Sequence, residues 1–303
     1  MSEPPVVAIL TVTTNAARHL PGYLDALERV SYGRRRLWVV DNASDDGSAE
    51  MVAQRAPEAT VLRNESNLGF TGACNRGIEA IMGDGAAAFV LFLNDDTEVE
   101  PGFLEPLVAM ADGRTLVAPK TYLAGTDRRL DDSVGEFDWW RGTWKRRVHG
   151  RREGAEYRSA HEIETANLSA LVVPVEVFRA IGGLDEAFFV YYDDTDFCRR
   201  AREAGFRIMF EPESVVHHLK GATLGGQHSG FGCYYLARNR PYLVRKHVGR
   251  GPRFWVFLGY YLATRVARCV LWSARGRWDL VRATWQGLWD FARGRMGKQG
   301  API

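Results

Sequence analysis

A short apolar run, Phe89-Val90-Leu91-Phe92-Leu93, ends abruptly in Asn94-Asp95-Asp96-Thr97. Far downstream a second acidic cluster, Tyr191-Tyr192-Asp193-Asp194-Thr195-Asp196, follows another apolar stretch, and His217-His218 closes a third. Carboxylates at the ends of buried strands can hold a hard divalent cation or accept a proton, and a distant histidine can complete such a site. Each cluster alone reads equally well as turn acids and helix caps. Two acidic clusters and a histidine in combination suggest a metal-assisted transfer reaction.

Such groups need a frame. The first half alternates strand-like and helix-like segments: Val6–Thr13, Leu37–Val40, Thr60–Arg63 and Phe89–Leu93 as strands, with helices at Leu20–Val30, Ala49–Arg55 and Gly72–Met82 between them. This alternation predicts an α/β fold with a mostly parallel sheet flanked by helices, and uninterrupted apolar strands fit burial on both faces. Ligands in such sheets bind beyond the carboxyl ends of the strands. Thr11–Asn15, Asp41, Asn67–Asn75 and Asp95-Asp96 are therefore expected around one crevice. Asp45, Asp46 and Ser48 read better as caps of the following helix.

Between Leu123 and Glu164 the pattern dissolves around Asp138-Trp139-Trp140-Arg141-Gly142-Thr143-Trp144. A stretch this long without clear elements reads as a lid or insertion whose aromatics either stack on a ligand or plug the core. Regular structure resumes with Ser169–Val173 as a strand and Val175–Ile181 as a helix. A helix from Asp194 to Ala204 then begins inside the second acidic cluster, and a strand from Arg207 to Phe210 stops at Pro212.

The 303 residues suffice for one large α/β unit with an appendage. Four cysteines, Cys74, Cys198, Cys233 and Cys269, stand far apart, which excludes a zinc knuckle or a disulfide framework as the reading and fits a reducing cytosol. Val6–Val12 is too short for a signal-type core. The apolar segment around Trp255–Ala263 is interrupted by Arg253, Arg265 and Arg268, so no transmembrane helix is expected.

Taken in order, these segments resemble the family 2 glycosyltransferases of GT-A fold, especially rhamnosyltransferase-like and galactofuranosyltransferase-like members. The resemblance runs from Val6 to His218 and rests on Val39-Val40-Asp41-Asn42-Ala43-Ser44-Asp45-Asp46-Gly47-Ser48, Asn67-Leu68-Gly69-Phe70 with Asn75-Arg76-Gly77, and Leu93-Asn94-Asp95-Asp96-Thr97. Gly182-Gly183-Leu184-Asp185-Glu186, Tyr192-Asp193-Asp194-Thr195-Asp196-Phe197, Arg200, Gly205, Pro212 and His218 complete it. It implies an inverting transfer of a sugar from a nucleotide-diphosphate donor to a hydroxyl acceptor, with a divalent metal (Mn2+ or Mg2+) on the diphosphate.

By the same resemblance Asp96 and His218 are the metal ligands, with His217 as the alternative in a shifted register, and Asn94 stands where many relatives carry a first aspartate. Asp194 is the general base and Asp193 its partner, orienting the acceptor. Asp196 supports the helix or pairs with Arg200. Asp41 contacts the nucleobase in a pocket with Thr11, Asn15 and Asn75. Asn42, Asn67, Gly69 and Asp95 belong to the same donor site, and Arg238 reaches a phosphate or forms a salt bridge.

From Tyr234 onward fourteen Lys and Arg face two acids, whereas the preceding residues hold 25 basic and 35 acidic side chains. Residues 1–233 are thus expected as the transferase domain and 234–303 as a basic, Trp-rich, amphipathic helical extension. Val281, Trp285, Leu288 and Ala292 follow one helical face. Trp255, Trp272, Trp278, Trp285 and Trp289 among arginines fit a helix lying on an anionic membrane surface. A helical cap or a homo-oligomer interface are the alternatives, and nothing resembles a nucleic-acid module. The expectation is a peripheral enzyme at the cytoplasmic membrane face. Its donor is dTDP-rhamnose, UDP-galactofuranose or a UDP-N-acetylhexosamine, with rhamnose leading, and its acceptor is a glycan or polyprenyl-linked saccharide. A catalytically inactive, membrane-recruited sugar-nucleotide-binding protein is the rival of another class.

Overall fold

The computed structural model describes residues 3–145, 148–219 and 229–298. The alternating first half forms β1 (Val7–Thr13), α1 (Leu20–Glu28), β2 (Arg35–Asp41), α2 (Ser48–Arg55), β3 (Thr60–Arg63), α3 (Gly69–Asp84) and β4 (Phe89–Leu93). Strands β3, β2, β1 and β4 lie side by side and parallel, as helix-linked crossovers require. Their apolar runs are buried on both faces by two hydrophobic clusters, one built with α3 and the other with α1.

The chain continues through β5 (Thr97–Val99), α4 (Leu104–Met110) and β6 (Thr115–Leu123). The unpatterned insertion then contains only short strands, β7 (Val134–Gly135), β8 (Phe137–Asp138), β9 (Thr143–Trp144), β10 (His161–Glu162) and β11 (Thr165–Ala166), and a 3-10 turn at Ala155–Tyr157. β12 (Ala170–Pro174) enters the main sheet antiparallel between β4 and β6. It is followed by α5 (Val175–Ile181), α6 (Asp193–Glu203) and β13 (Arg207–His218). The principal sheet is therefore mixed, ordered β10-β13-β6-β12-β4-β1-β2-β3, with β5 paired to β13.

Pro212 does not end its strand. β13 runs through it to His218, because a bulge between Glu211 and Val215 absorbs the residue that cannot donate to the ladder.

Three helices complete the described residues: α7 (Gly230–Val248), α8 (Pro252–Ala274) and α9 (Trp278–Ala292). The boundary expected at 233/234 falls inside α7, and residues 299–303 of the expected extension lie outside the described residues. α9 packs closely along α7, where a side chain at Gly287 would meet the Tyr234 carbonyl at 2.3 Å. This contact turns Leu280, Ala283, Gly287, Leu288 and Phe291 inward and leaves Trp285 outside, so the expected apolar face is rotated. Among the described residues one helix, α8, is long and apolar enough to cross a membrane by length and composition alone, although arginines interrupt its apolar run. Arg253 occupies its first turn and Arg265 is only half-exposed, so the helix stays continuous past both.

Candidate active site

The carboxyl ends of β1, β2 and β4 and the far end of β13 carry the polar residues that the sequence singles out. β4 stops at Leu93, and Asp95 and Asp96 occupy the turn into β5, both buried. β5 pairs antiparallel with β13 so that Thr97 lies opposite His218, and the Leu219 amide donates to the Asp96 carbonyl at 2.8 Å. This register decides between the two histidines. His218 Nε2 lies 3.2 Å from Asp96 Oδ1, whereas His217, one residue earlier on the opposite face, approaches Glu100 at 3.5 Å.

His218 Nδ1 is held at 2.9 Å by Asp131 Oδ2, and His149 lies 3.1 Å from the other Asp131 oxygen. Burial alone would lower the His218 pKa, but its bonds to Asp131 and Asp96 outweigh that and raise it to about 9. Burial likewise works against ionisation of Asp96, yet the His218 contact wins and its pKa is lowered. Asp95 behaves oppositely: burial and the adjacent Asp96 charge raise its pKa, although His19 Nε2 stands 3.4 Å away. Of the two acids, Asp96 is the one whose anionic form the fold favours.

Among the described residues no group of three or more His, Cys, Asp or Glu gathers that could hold a metal ion by itself. Asp96 and His218 nevertheless fit one end of a divalent site. A carboxylate locks the remote nitrogen of the imidazole and leaves Nε2 facing the ligand carboxylate, the outer-shell arrangement that metal-binding histidines use. The remaining positions would have to come from phosphate oxygens and water, as is usual for hard cations of this kind. Asp131 and His19 were not found by sequence reasoning. Asp131 lies in the unpatterned insertion and His19 just before a helix, and neither carries a local signal.

The donor-side residues form a chained network at the ends of β1 and β2. Asp41 is buried, and its Oδ1 has no hydrogen-bond partner among the described residues. An acceptor left in that state calls for a donor from outside the protein. Asn42, equally buried, accepts from the Leu68 amide and Asn64 Nδ2, each at 2.9 Å, and donates to Asn67 Oδ1 and the Gly69 carbonyl. Asn67 in turn accepts from the Gly69 amide at 2.8 Å. Through these bonds the asparagines shape the loop.

Asn15, exposed and left-handed at φ 52°, bridges to the Asp45 amide. Asp46 accepts from the Ala17 amide at 2.9 Å and the Ser48 amide at 3.0 Å, so it ties two loops as well as starting α2.

Two expected pocket residues are used elsewhere. Thr11 is wholly buried and bonded to the Tyr23 hydroxyl. Asn75 clamps α3 to the loop that follows α5, accepting from the Leu184 amide at 2.7 Å and donating to the Leu184 carbonyl at 2.9 Å. Thr13, the register partner of Asp41, sits beside Asp95 and is buried at the position expected for Thr11.

The second acidic cluster is presented by a strained loop. Phe189, Tyr191 and Tyr192 have φ of 67°, 65° and 69°, a region costly for side chains of this size, and Asp193 follows at once as the first residue of α6. What holds the strain is α7. Asn239 donates to the carbonyls of Phe188, Val190 and Tyr191 at 2.9, 2.7 and 3.2 Å, and Arg238 donates to those of Ala187, Phe188 and Gly297 at 3.2, 2.9 and 2.6 Å. Arg238 is fully buried over Tyr235, so in place of the expected phosphate contact or salt bridge it positions the loop that carries the acids. The other side of the loop touches the donor network: a side chain at Gly69, where φ is +74°, would lie 2.4 Å from the Phe189 ring. Only glycine permits that approach.

Burial, with Asp194 next to it, raises the Asp193 pKa strongly, while burial lifts Asp194 to about 6 against its bonds from the Thr195 amide and hydroxyl. Of the pair, Asp194 is therefore the one that ionises near pH 6, while Asp193 is pushed above the usual carboxylate range. Asp196 takes the structural role. It bonds Arg200 at 2.8 Å, Lys246 at 2.7 Å and His247 at 2.8 Å, tying α6 to α7. In the insertion Trp139 packs on Phe137 and His247 with Arg199 over its ring, whereas Trp140 is exposed beneath Arg253.

Comparisons with known proteins agree with this layout. Residues 8–163 match the description Glycosyl transferase family 2. The N-acetylglucosaminyl-diphospho-decaprenol L-rhamnosyltransferase of Mycobacterium tuberculosis is 25% identical over 279 residues, covering 84% of this chain and 90% of that protein. The dTDP-rhamnosyl transferase RfbF of Shigella flexneri is 25% identical over 219 residues, covering 69% of this chain and 70% of its own.

Among solved structures, GalNAc-T7 with UDP, GalNAc and Mn2+ superposes with a TM-score of 0.59 at 16% identity, over 71% of this chain and 43% of that one. S. aureus TarS 1-349 gives 0.53 at 13% identity, over 95% and 92%. At such identities the structural likeness speaks for the fold, a GT-A-like sheet flanked by helices. With more than half its length matched, this chain belongs to glycosyl transferase family 2.

Proposed function

We propose that this glycosyltransferase catalyses an inverting transfer of a hexose from a nucleotide-diphosphate donor to a hydroxyl of a polyprenyl-linked or other cell-envelope glycan, with dTDP-rhamnose as the leading donor. The observation that carries the reading is electrostatic: Asp96 is driven toward its anion by His218, while in the other cluster Asp194 is lifted to about 6. Carboxylates pushed apart in this way divide the labour of anion and proton acceptor. The donor preference rests on the two rhamnosyltransferase relatives.

In this reading Asp41 accepts from the nucleobase, and Asp96 with His218 holds the diphosphate end. A divalent cation bound there would offset the charge that collects on the departing diphosphate. Asp194 takes the acceptor hydroxyl's proton as that oxygen forms the new bond to the anomeric carbon, from the side opposite the breaking bond to the diphosphate. Asp193 orients the acceptor. Residues 1–233 supply this chemistry, and the helices beyond fix the Asp193-Asp194 loop and face the membrane surface on the cytoplasmic side, where nucleotide sugars are made.

The test is calorimetric titration of dTDP, UDP and GDP into the protein with and without manganese, repeated on Asp96→Ala with the best ligand. The expected result is selective dTDP binding that requires both manganese and Asp96. Failure of all three nucleotides under both conditions would remove the reading. A donor-hydrolysis panel of dTDP-rhamnose, UDP-galactofuranose and UDP-N-acetylhexosamines then fixes the sugar.

A further inference from the structure

α8 turns an unusual surface outward. Trp255, Val256, Tyr260, Val266, Val270 and Leu271 are 61, 64, 47, 47, 62 and 57% exposed, and the exposed positions between them on the same side are glycine or alanine. At about 100° per residue these positions fall within an arc of about 160° whose one charged residue, Arg253, stands at its edge in the first turn. The six large side chains alone expose on the order of 600 Å² of largely apolar surface, the upper end of what a monomer leaves in water. α9 continues it with Trp278, Trp285 and Trp289, which are 64, 44 and 57% exposed.

Arginines frame this surface and acids are almost absent. Arg253 lies over Trp140 at 4.6 Å, Arg268 over Trp272 at 5.3 Å and Arg293 over Trp289 at 4.4 Å, and α8 contains no Asp or Glu. Guanidinium groups beside exposed indoles match the depth at which phosphates and the first methylenes of a bilayer meet.

The opposite side of α8 is already occupied. Phe254, Phe257 and Tyr261 are buried in one cluster with Ala237 and Val244 of α7 and Leu288 and Phe291 of α9. A helix clamped along one side to a folded body cannot offer lipid its whole circumference, which a single spanning helix must do.

We propose that the outward arc of α8, extended by the α9 tryptophans, is a docking face for an anionic bilayer, with α8 lying flat in the interface rather than crossing it. The bilayer is favoured over a second copy of the chain by charge. The face is rimmed by arginines with few acids to answer them, so two such faces would repel, whereas anionic headgroups complement it. This surface stands on the exposure and charge pattern of α8 and α9, independently of the donor site.

The experiment is flotation of the full chain with vesicles of phosphatidylcholine with and without phosphatidylglycerol, together with tryptophan quenching by lipids brominated at shallow or deep positions. The wild type should float with the phosphatidylglycerol vesicles, lose binding as salt rises, and be quenched best at shallow positions. Val256→Glu with Val270→Glu should weaken partitioning by roughly tenfold or more. Both sites are exposed, and an unchanged circular dichroism melt establishes folding. The proposal is overturned by a wild type that stays with the soluble fraction, by a double variant that floats equally well, or by strongest quenching at the bilayer centre. It is equally overturned by a dimer in sedimentation velocity, without vesicles, that the same substitutions abolish.

Discussion

Asp194 gives the sharpest test of the catalytic reading. Its pKa of about 6 means that about one tenth of the molecules are ionised at pH 5, so the rate should fall about tenfold from its plateau. An aspartate at its usual value near 4 would be almost fully ionised there and the rate nearly flat. Asp194→Asn removes the proton acceptor while keeping the shape, and should lower kcat by about 10²–10⁴, equivalent to about 3–5 kcal/mol of barrier. Nucleotide affinity, which the proposed function assigns to Asp41 and Asp96, should not move.

Burial and the neighbouring Asp194 favour the uncharged form of Asp193, so Asp193→Asn is the milder change and should retain the acid limb near pH 6. The sign of stability runs the other way from the rate. A carboxyl whose folded pKa lies above its unfolded value binds a proton on folding, so its contribution to stability falls as pH rises from about 4 to about 6. Rates measured by sugar-nucleotide turnover and unfolding followed by circular dichroism should therefore diverge across that window. A flat rate down to pH 5, or an active Asp194→Asn beside an inactive Asp193→Asn, would refute the assignment.

Two further outcomes follow from the buried networks. Asp131→Asn removes the carboxylate that fixes the His218 ring, and manganese affinity, measured by calorimetry with nucleotide present, should drop about 10–100-fold. Asp196 is buried and its pKa is lowered to about 2, burial opposing and His247, Lys246 and Arg200 prevailing. Its folded value lies below the unfolded one, so about 2 kcal/mol of stability is present above pH 4 and is lost as pH falls toward 2. Asp196→Ala strands Arg200, Lys246 and His247 and should cost about 3–5 kcal/mol in urea unfolding at neutral pH.

Much of the fold was legible because burial constrains composition. A strand covered on both faces must be an apolar run, so β1, β2 and β4 announce themselves, and their polar residues can only gather where the run stops. The helix inside the second acidic cluster and the pairing of Asp196 with Arg200 were equally local, since both lie within one helical segment. β13 was read too short, because Pro212 marks an end in most strands and only the ladder to β6 and β5 shows that a bulge accommodates it.

The sequence by itself determined the alternation of elements, the places where acids cluster, and a basic, Trp-rich tail, all of which depend on neighbours a few residues apart. Only the tertiary structure decided that His218 and not His217 meets Asp96, since that is set by register with a strand more than a hundred residues away. It alone decided that Asp131, His19 and Thr13 join the acids, and that Thr11, Asn75 and Arg238 turn to other partners. The arc of α8 is of the same kind: the sequence shows an apolar helix studded with arginines, but which side faces water follows from where Phe257 and Tyr261 find their packing. Such choices belong to contacts between remote segments, and no local pattern of residue types encodes which of several acceptable partners a folded chain will bring near.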